Sequence, residues 1–438
     1  MLTYAAASKV LRSRRLLPAA GVLLAGVLLS ACLGWSTQYN AGSANIAFDG
    51  ISCATTSDCV AVANVPGAIP SSASTIETTT NGGSSWSSPA EGTNQILYSV
   101  SCPDATHCIA AGADGGDLFV TSNPQGTWTA TPTVTGADSV TGVSCANDSD
   151  CFAIAIGTFY GGPQSYGLIQ TVNGGQSWSL ILNGLGAFYS LSCPSTTTCF
   201  IAGLNATGND IVSTTNLDTW HTTQLSGDEP LNDISCATTT SCMVVGYSQV
   251  FSTSNGSTWV NDSSSLDADT GSALANVNGV SCIDAADCTV VGNAASGIYG
   301  QSVAATNNGG TTWHVEALPS TLDLATVSCA STTACWAGGA KSIVATSNGG
   351  VASPQLNSLS PTSGPAGTSV TISGVDLNST PVSVDFGSVP ATSVTVVSAS
   401  EITAVAPTPT TAGTVDVTVH TSRGTTPYVI GDQFTYTG

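Results

Sequence analysis

ISCATTSDCVAVAN, residues 51–64, carries the pattern that decides the fold. Cys53 and Cys59 are separated by five residues, an aliphatic–Ser pair precedes the first, and an apolar run leaves from the second. The design returns as VSCANDSDCFAIA at 143–155 and in five further copies. The pairs are Cys53/Cys59, Cys102/Cys108, Cys145/Cys151, Cys193/Cys199, Cys236/Cys242, Cys282/Cys288 and Cys329/Cys335. Successive first cysteines lie 49, 43, 48, 43, 46 and 47 residues apart. A period of this length matches one propeller blade of four short strands. Seven copies therefore predict an all-β, seven-bladed β-propeller. Within each unit, a strand ending at "SC", a five-residue turn and a strand starting at the second Cys make a hairpin. Such a hairpin sets the two cysteines opposite each other, at ~4.5–5.5 Å between Cα atoms, as a disulfide requires. Zinc is the competing use of paired cysteines. The five-residue spacing, the lack of a recurring His and an export signal favour one disulfide per blade.

A second motif follows in each unit: TTNGGSSW (79–86), TSNPQGTW (121–128), TVNGGQSW (171–178), TTNLDTW (214–220), TSNGSTW (253–259) and TNNGGTTW (306–313). These segments resemble the Asp-box of sialidase-like and photosystem-assembly-factor-like propellers, with Asn replacing the usual Asp. The resemblance implies a folding device without catalytic role. Asn-Gly supplies left-handed backbone and a side chain able to hold the turn's amides, and the Trp then opens an outer strand packed between blades. The seventh unit reaches TSNGG (346–350) without a Trp, but Trp35 precedes Cys53 by 18 residues. The other Trp-to-Cys gaps are 16, 17, 15, 16, 23 and 16, so residues 35–40 are expected to close the last blade and remove the open sheet edges.

Both ends differ from the ring. Residues 1–31 have a basic start, an apolar run LLPAAGVLLAGVLL (16–29) and small residues, the layout of a secretory signal. The run is short of the ~20 residues of a stable membrane span. Leu29-Ser30-Ala31-Cys32 is similar to the bacterial lipobox, which implies a lipid on Cys32 and anchorage to the outer face of the cell membrane. The propeller is assigned to 32–352. Residues 353–438 contain neither Cys nor Trp, and SPTSGPAGTSVTISG (360–374) opens a series of short alternating strands. This module resembles the IPT/TIG immunoglobulin-like domain, which implies a small β-sandwich used as a spacer or interaction module.

Charge removes several functions. The chain has 27 acidic and six basic residues, and four of the basic ones lie within the first 15 positions. Nucleic-acid binding and a polybasic membrane patch are excluded, because both need a cationic surface. The sialidase mechanism implied by that resemblance needs three arginines, and beyond the signal only Arg423 remains, with Lys341. No cofactor motif or metal-ligand spacing occurs, and His107, His221, His314 and His420 are scattered. The meander puts the Cys turns and Asn turns on one face. The opposite face carries the loops between second and third strands, where Phe159, Tyr160, Tyr166 and Tyr299 are candidate ligand-stacking residues. Glu91, Asp114, Asp117, Asp228, Glu229, Asp267 and Asp269 are assigned to the same face, and paired carboxylates there could run glycoside hydrolysis. The leading expectation is a lipid-anchored, non-catalytic binding or scaffold protein with a protein or carbohydrate partner. A secreted glycan hydrolase or lyase is the alternative.

Overall fold

The computed structural model describes residues 35–42, 46–64, 74–88, 96–112, 116, 118–205, 208–227, 229–270, 274–294, 302–316, 318, 322–346, 354–375, 377–378, 381–398, 400–409, 413–421, 424–426 and 432–437. Seven antiparallel sheets follow the seven cysteine pairs. Blade 3 shows the plan: Ala137–Cys145, Cys151–Gly157, Ser165–Thr171 and Ser179–Leu185 pair in sequence order. Blade 1 is the variation. It has three strands, Ala47–Cys53, Cys59–Asn64 and Ser74–Thr79, and the single bridge Thr78–Ser87 stands where the fourth would run. In blade 7 the fourth strand is Ser36–Asn40, antiparallel to Ser342–Thr346 with Ser36 opposite Ala345. Trp35, just before it, is fully buried among Val291, Val303, Leu324 and Val344 of blades 6 and 7.

Each cysteine pair is a disulfide: Cys53–Cys59, Cys102–Cys108, Cys145–Cys151, Cys193–Cys199, Cys236–Cys242, Cys282–Cys288 and Cys329–Cys335, with Cα atoms 3.9–4.2 Å apart. That is closer than expected, because the half-cystines occupy directly opposed positions at the end of a tight hairpin, as in Cys53–Cys59 and Cys145–Cys151. The second cysteine of each bridge is buried, a point the spacing does not disclose. Cys199, Cys288 and Cys335 show what surrounds them, while Cys59, Cys102 and Cys108 also line a small pocket between blades 1 and 2. Cys199 packs with Ile201 and Val212, Cys288 with Val280 and Trp313, and Cys335 with Val327 and Val344. The second Cys opens the blade's second strand, which has neighbouring strands on both sides, so its sulfur faces the packing between blades.

The turn between each pair has its own lock. The second residue after the first Cys is Thr55, Asp104, Asn147, Ser195, Thr238, Asp284 or Ser331, and in each turn its side-chain oxygen accepts turn amides, as Asp284 does from Ala286 and Asp287. These are Asx- and Ser/Thr-turns, which need only a short side-chain acceptor. Asp104 and Asp284 are thus turn-holders. The amides of Asp287 and Ala286 hold the Asp284 carboxyl below its ordinary range.

The serine before each first cysteine joins the blades. Its Oγ accepts the N–H of the next blade's first Cys at 2.9–3.0 Å: Ser52 to Cys102, Ser101 to Cys145, Ser144 to Cys193, Ser192 to Cys236, Ser235 to Cys282, Ser281 to Cys329 and Ser328 back to Cys53. The innermost strand of a blade leaves one edge unpaired, and these hydroxyls satisfy one amide of each edge. The ring is closed by side chain–backbone bonds as well as by packing.

The Thr-x-Asn turns follow one scheme. Thr79 Oγ1 receives the Gly83 amide and donates to Asn81 Oδ1, which also takes the Ser85 amide, while Asn81 Nδ2 donates to Ser85 Oγ. Blades 3 and 6 repeat this with Thr171/Asn173 and Thr306/Asn308. The Nδ2 donation is open to Asn and closed to an ionised Asp. Trp128, Trp178 and Trp313 lie in hydrophobic clusters that draw on two neighbouring blades. The long gap after Trp259 holds a helix, Ser263–Thr270, whose Leu266 is buried against Met243 and Val277.

The described residues between 354 and 437 form a β-sandwich. One sheet contains Gln355–Ser360, Ser369–Val375, Glu401–Val405 and Ser393–Ser398. The facing sheet is built on Thr414–Thr421, Ser383–Phe386 and Gln433–Tyr436. Val370, Ile372, Phe386, Ile402, Val419 and Phe434 fill the space between them.

Candidate functional site

First and third strands run toward the Cys and Asn turns, and second and fourth strands run back, which defines a turn face and a loop face. The seven first strands surround an axial channel of about 360 Å³. One position sets its chemistry at the loop-face end, the fourth residue before each first Cys: Asp49, Tyr98, Thr141, Tyr189, Asn232, Asn278 and Ala325, all channel-lining. The residue after it is Gly50, Ser99, Gly142, Ser190, Asp233, Gly279 or Thr326. Gly is imposed at Gly50, where a Cβ would lie 3.0 Å from the Tyr98 carbonyl and Ser99 Cα of the next blade.

At three of these positions a polar side chain caps the next strand's edge. Ser99 accepts the Val143 amide, and Ser190 accepts the Ile234 amide while donating to Asp233. Asp233 accepts the amides of Ile234 and Val280 at 2.9 Å. Burial between blades pushes its carboxyl up to about 6 against the lowering effect of these bonds. Burial likewise raises Asp49, with the Asn64 amide opposing it. Asn64, Asn232 and Asn278 clamp adjacent blades by donating to the carbonyls of Leu97, Val277 and Leu324. The channel is thus a polar bore with its strand edges largely capped.

The aromatic side chains divide by face. The exposed tyrosines among the described residues are Tyr98, Tyr160, Tyr189 and Tyr247. Tyr98 and Tyr189 stand at the channel mouth, and Tyr160 and Tyr247 occupy second-to-third-strand loops of blades 3 and 5. All four lie on the loop face, one each from the consecutive blades 2, 3, 4 and 5. Of the expected stacking residues, Tyr160 is exposed, with a left-handed φ of 54°. Tyr166 is half-buried beside Tyr189, and burial followed by the negative potential of Tyr189 raises its hydroxyl. The expectation for Phe159 is corrected: it is 3% exposed and packs in the blade 3 core with Ile169 and Trp178, because its short 3-10 turn folds the ring inward. Tyr299 lies outside the described residues, as do Cys32, Glu91, Asp114, Asp117 and Asp228. Tyr98, Tyr189 and Tyr247 were not foreseen. The signal for the first two was present in YSVSC and YSLSC, where a Tyr stands four residues before the first Cys.

Of the expected loop-face carboxylates, Glu229, Asp267 and Asp269 are among the described residues. Asp267 and Asp269 sit on the helix at the propeller's perimeter, and Asp269 Oδ2 accepts the Trp313 amide at 2.8 Å, on the turn-face side of blade 6. Glu229 is exposed in the connection between blades 4 and 5. Among the described residues, no group of three or more His, Cys, Asp or Glu is placed to hold a metal. His107 pairs with Asp104 at 2.9 Å on the turn face, and His420 with Asp385 at 3.1 Å in the sandwich. No helix among the described residues is long and apolar enough to cross a membrane.

Comparison with known proteins agrees with this architecture. Residues 354–436 match the IPT/TIG domain family. No curated protein matches the chain by sequence. Among solved structures, YCF48 bound to D1 peptide is 12% identical, with TM-score 0.52, over 72% of this chain and 96% of that one. The Niastella koreensis GH74 enzyme is 14% identical, with TM-score 0.52, over 91% and 69%. Streptogramin B lyase is 10% identical, with TM-score 0.53, over 71% and 96%. At these identities the likeness is one of fold: the chain is a β-propeller followed by an IPT/TIG immunoglobulin-like module, a fold shared by binders and enzymes alike.

Proposed function

We propose that the protein is an exported, lipid-anchored binding scaffold that meets its partner through the loop face of the propeller. One observation carries this reading: among the described residues the exposed tyrosines share one face, and the strand that follows Trp35 starts at the other. Cys32 precedes Trp35 by three residues, a reach of at most ~10 Å. A lipid on Cys32 would hold the turn face against the membrane and present the tyrosine face outward. The seven disulfides support an oxidising compartment. Binding is favoured over hydrolysis because Asp267 and Asp269, two of the carboxylates considered for catalysis, stand at the perimeter and Asp269 is engaged by a backbone amide.

The test has two parts. Mass spectrometry of the N-terminal peptide should find an acylated Cys32, and Cys32→Ser should release the protein into the medium. On intact cells, tyrosines of the loop face should be modified by an impermeant reagent, while the turn-face His107 is protected. Unmodified Cys32 with retained surface attachment would overturn the anchor. Release of reducing ends from a polysaccharide by the purified chain would overturn the non-catalytic reading.

A further inference from the structure

We infer that the tyrosine arc and the channel mouth form one extended site for a neutral polysaccharide. The inference rests on the loop-face reading above and names the ligand class for it. Tyr98, Tyr160, Tyr189 and Tyr247 are 38%, 86%, 42% and 49% exposed and come from four successive blades, with half-buried Tyr166 beside Tyr189. An exposed aromatic cluster confined to one face marks an interaction surface. Tyrosine offers a flat, amphipathic ring with few rotatable bonds, so ordering it on a ligand costs little entropy. Tyr98 and Tyr189 line the channel together with Asn232, Asn278, Thr141 and Ser99. Flat rings around amide and hydroxyl groups suit pyranose rings, which present apolar C–H faces and hydroxyl edges together.

The same surface suits a peptide poorly. Peptides are held by backbone pairing to an open strand edge or by apolar pockets for their side chains. Here the innermost edges of blades 3, 5 and 6 are capped by Ser99, Ser190 and Asp233, and the face offers tyrosines in place of an apolar pocket. The chain's net charge of −21 disfavours uronic-acid, sulfated and phosphorylated polymers. Among the described residues, Asp49 and Asp233 are the carboxylates that line the channel, and both are drawn into bonds with the protein, Asp49 with Asn64 and Asp233 with the Ile234 and Val280 amides. A neutral chain crossing blades 2 to 5 fits best.

Affinity electrophoresis of the full chain in mild detergent, through gels carrying dextran, mannan, soluble starch, laminarin or arabinan, tests this directly. Retardation by at least one of these neutral polymers is expected, with alginate and heparin gels giving none. Tyr98→Ala/Tyr189→Ala should weaken the apparent affinity at least tenfold, and the Phe pair should stay within about threefold of wild type. Val172→Ala, on the exposed turn face, should change nothing, and unaltered thermal melts keep a loss from being ascribed to unfolding. Retardation that survives the Ala pair overturns the site. Retardation by the acidic polymers alone, or by none of the polymers, overturns the ligand class. If a panel of extended basic peptides then binds in a Tyr98- and Tyr189-dependent way, the loop face remains the binding face and only the polysaccharide assignment falls. If binding of any kind is sensitive to turn-face substitutions alone, the loop-face reading falls with it.

Discussion

Asp233 sits where three blades meet, bonded to Ser190 of blade 4, to its own strand's Ile234 and to Val280 of blade 6. Its carboxyl is raised from an ordinary 3.8 to about 6 by burial. Because the folded value lies above the unfolded one, its contribution to stability is complete below about pH 4 and is lost as pH rises through about 6. Asp233→Asn cannot ionise, so the melting-temperature difference between wild type and variant should favour wild type more at pH 5 than at pH 8. Each tenfold change in proton affinity is worth roughly 1.4 kcal/mol, so the effect amounts to a few kcal/mol at most. A difference that stays constant across that range would remove Asp233 from the pH response. Ser144 gives a pH-independent counterpart. Ser144→Ala leaves the amide of Cys193, a residue 3% exposed, without its acceptor. The expected cost is about 1–3 kcal/mol, read from denaturant unfolding, and Ser144→Thr should recover much of it by restoring a hydroxyl.

At the scale of elements, the hairpin and its disulfide are separate contributions. The Cys236–Cys242 bridge closes a small loop, so chain entropy gives it roughly 2 kcal/mol. Cys236→Ala/Cys242→Ala should lower stability by no more than that, because Thr238 still holds the turn through the amides of Thr240 and Ser241. Adding Thr238→Ala to the pair should cost about 1 kcal/mol further, measured by urea unfolding. Equal stability of double and triple variants would show that the turn lock contributes nothing. The hairpin was legible in the sequence because cysteine spacing records strand pairing directly. The turn lock was harder to see, since Thr, Asp, Asn and Ser serve equally as acceptors and no single letter repeats at Thr55, Asp104, Asn147 and Ser195. The serine before each Cys did repeat, yet its purpose needs the neighbouring blade, which one strand's pattern cannot reveal. The burial of Cys199, Cys288 and Cys335 was hidden for the same reason, because much of the apolar cover, such as Val212, Val280 and Val327, comes from other strands. Phe159 and Tyr160 make the point for the site. They are adjacent aromatic residues in one loop, and a three-residue turn buries the first and exposes the second.

At the scale of the molecule, stability depends on closing the ring. The strand Ser36–Asn40 adds the fourth strand of blade 7 from the N-terminal side of the ring, beside the Ala47–Ala340 bridge and the Ser328–Cys53 bond, and Trp35 seals blade 6 against blade 7. Without it, Ser342–Thr346 presents an open edge, and the apolar wall formed by Val291, Val303 and Leu324 faces solvent. Trp35→Ala should therefore cost about 3–5 kcal/mol, the value for emptying a fully buried large aromatic site. Thr37→Pro should act differently. It leaves the Trp in place, removes a backbone donor from the Ser36–Asn40 strand and weakens that pairing, so the protein should associate at micromolar concentration before it unfolds. Light scattering with wild type, Trp35→Ala and Thr37→Pro at matched temperatures separates the two effects. A synthetic peptide spanning residues 35–42, added in excess to the Thr37→Pro protein, should then compete for the freed edge and restore a monomer. Failure of the peptide to suppress association, with the variant otherwise folded, would show that residues 35–40 are held by the ring without being needed to close it.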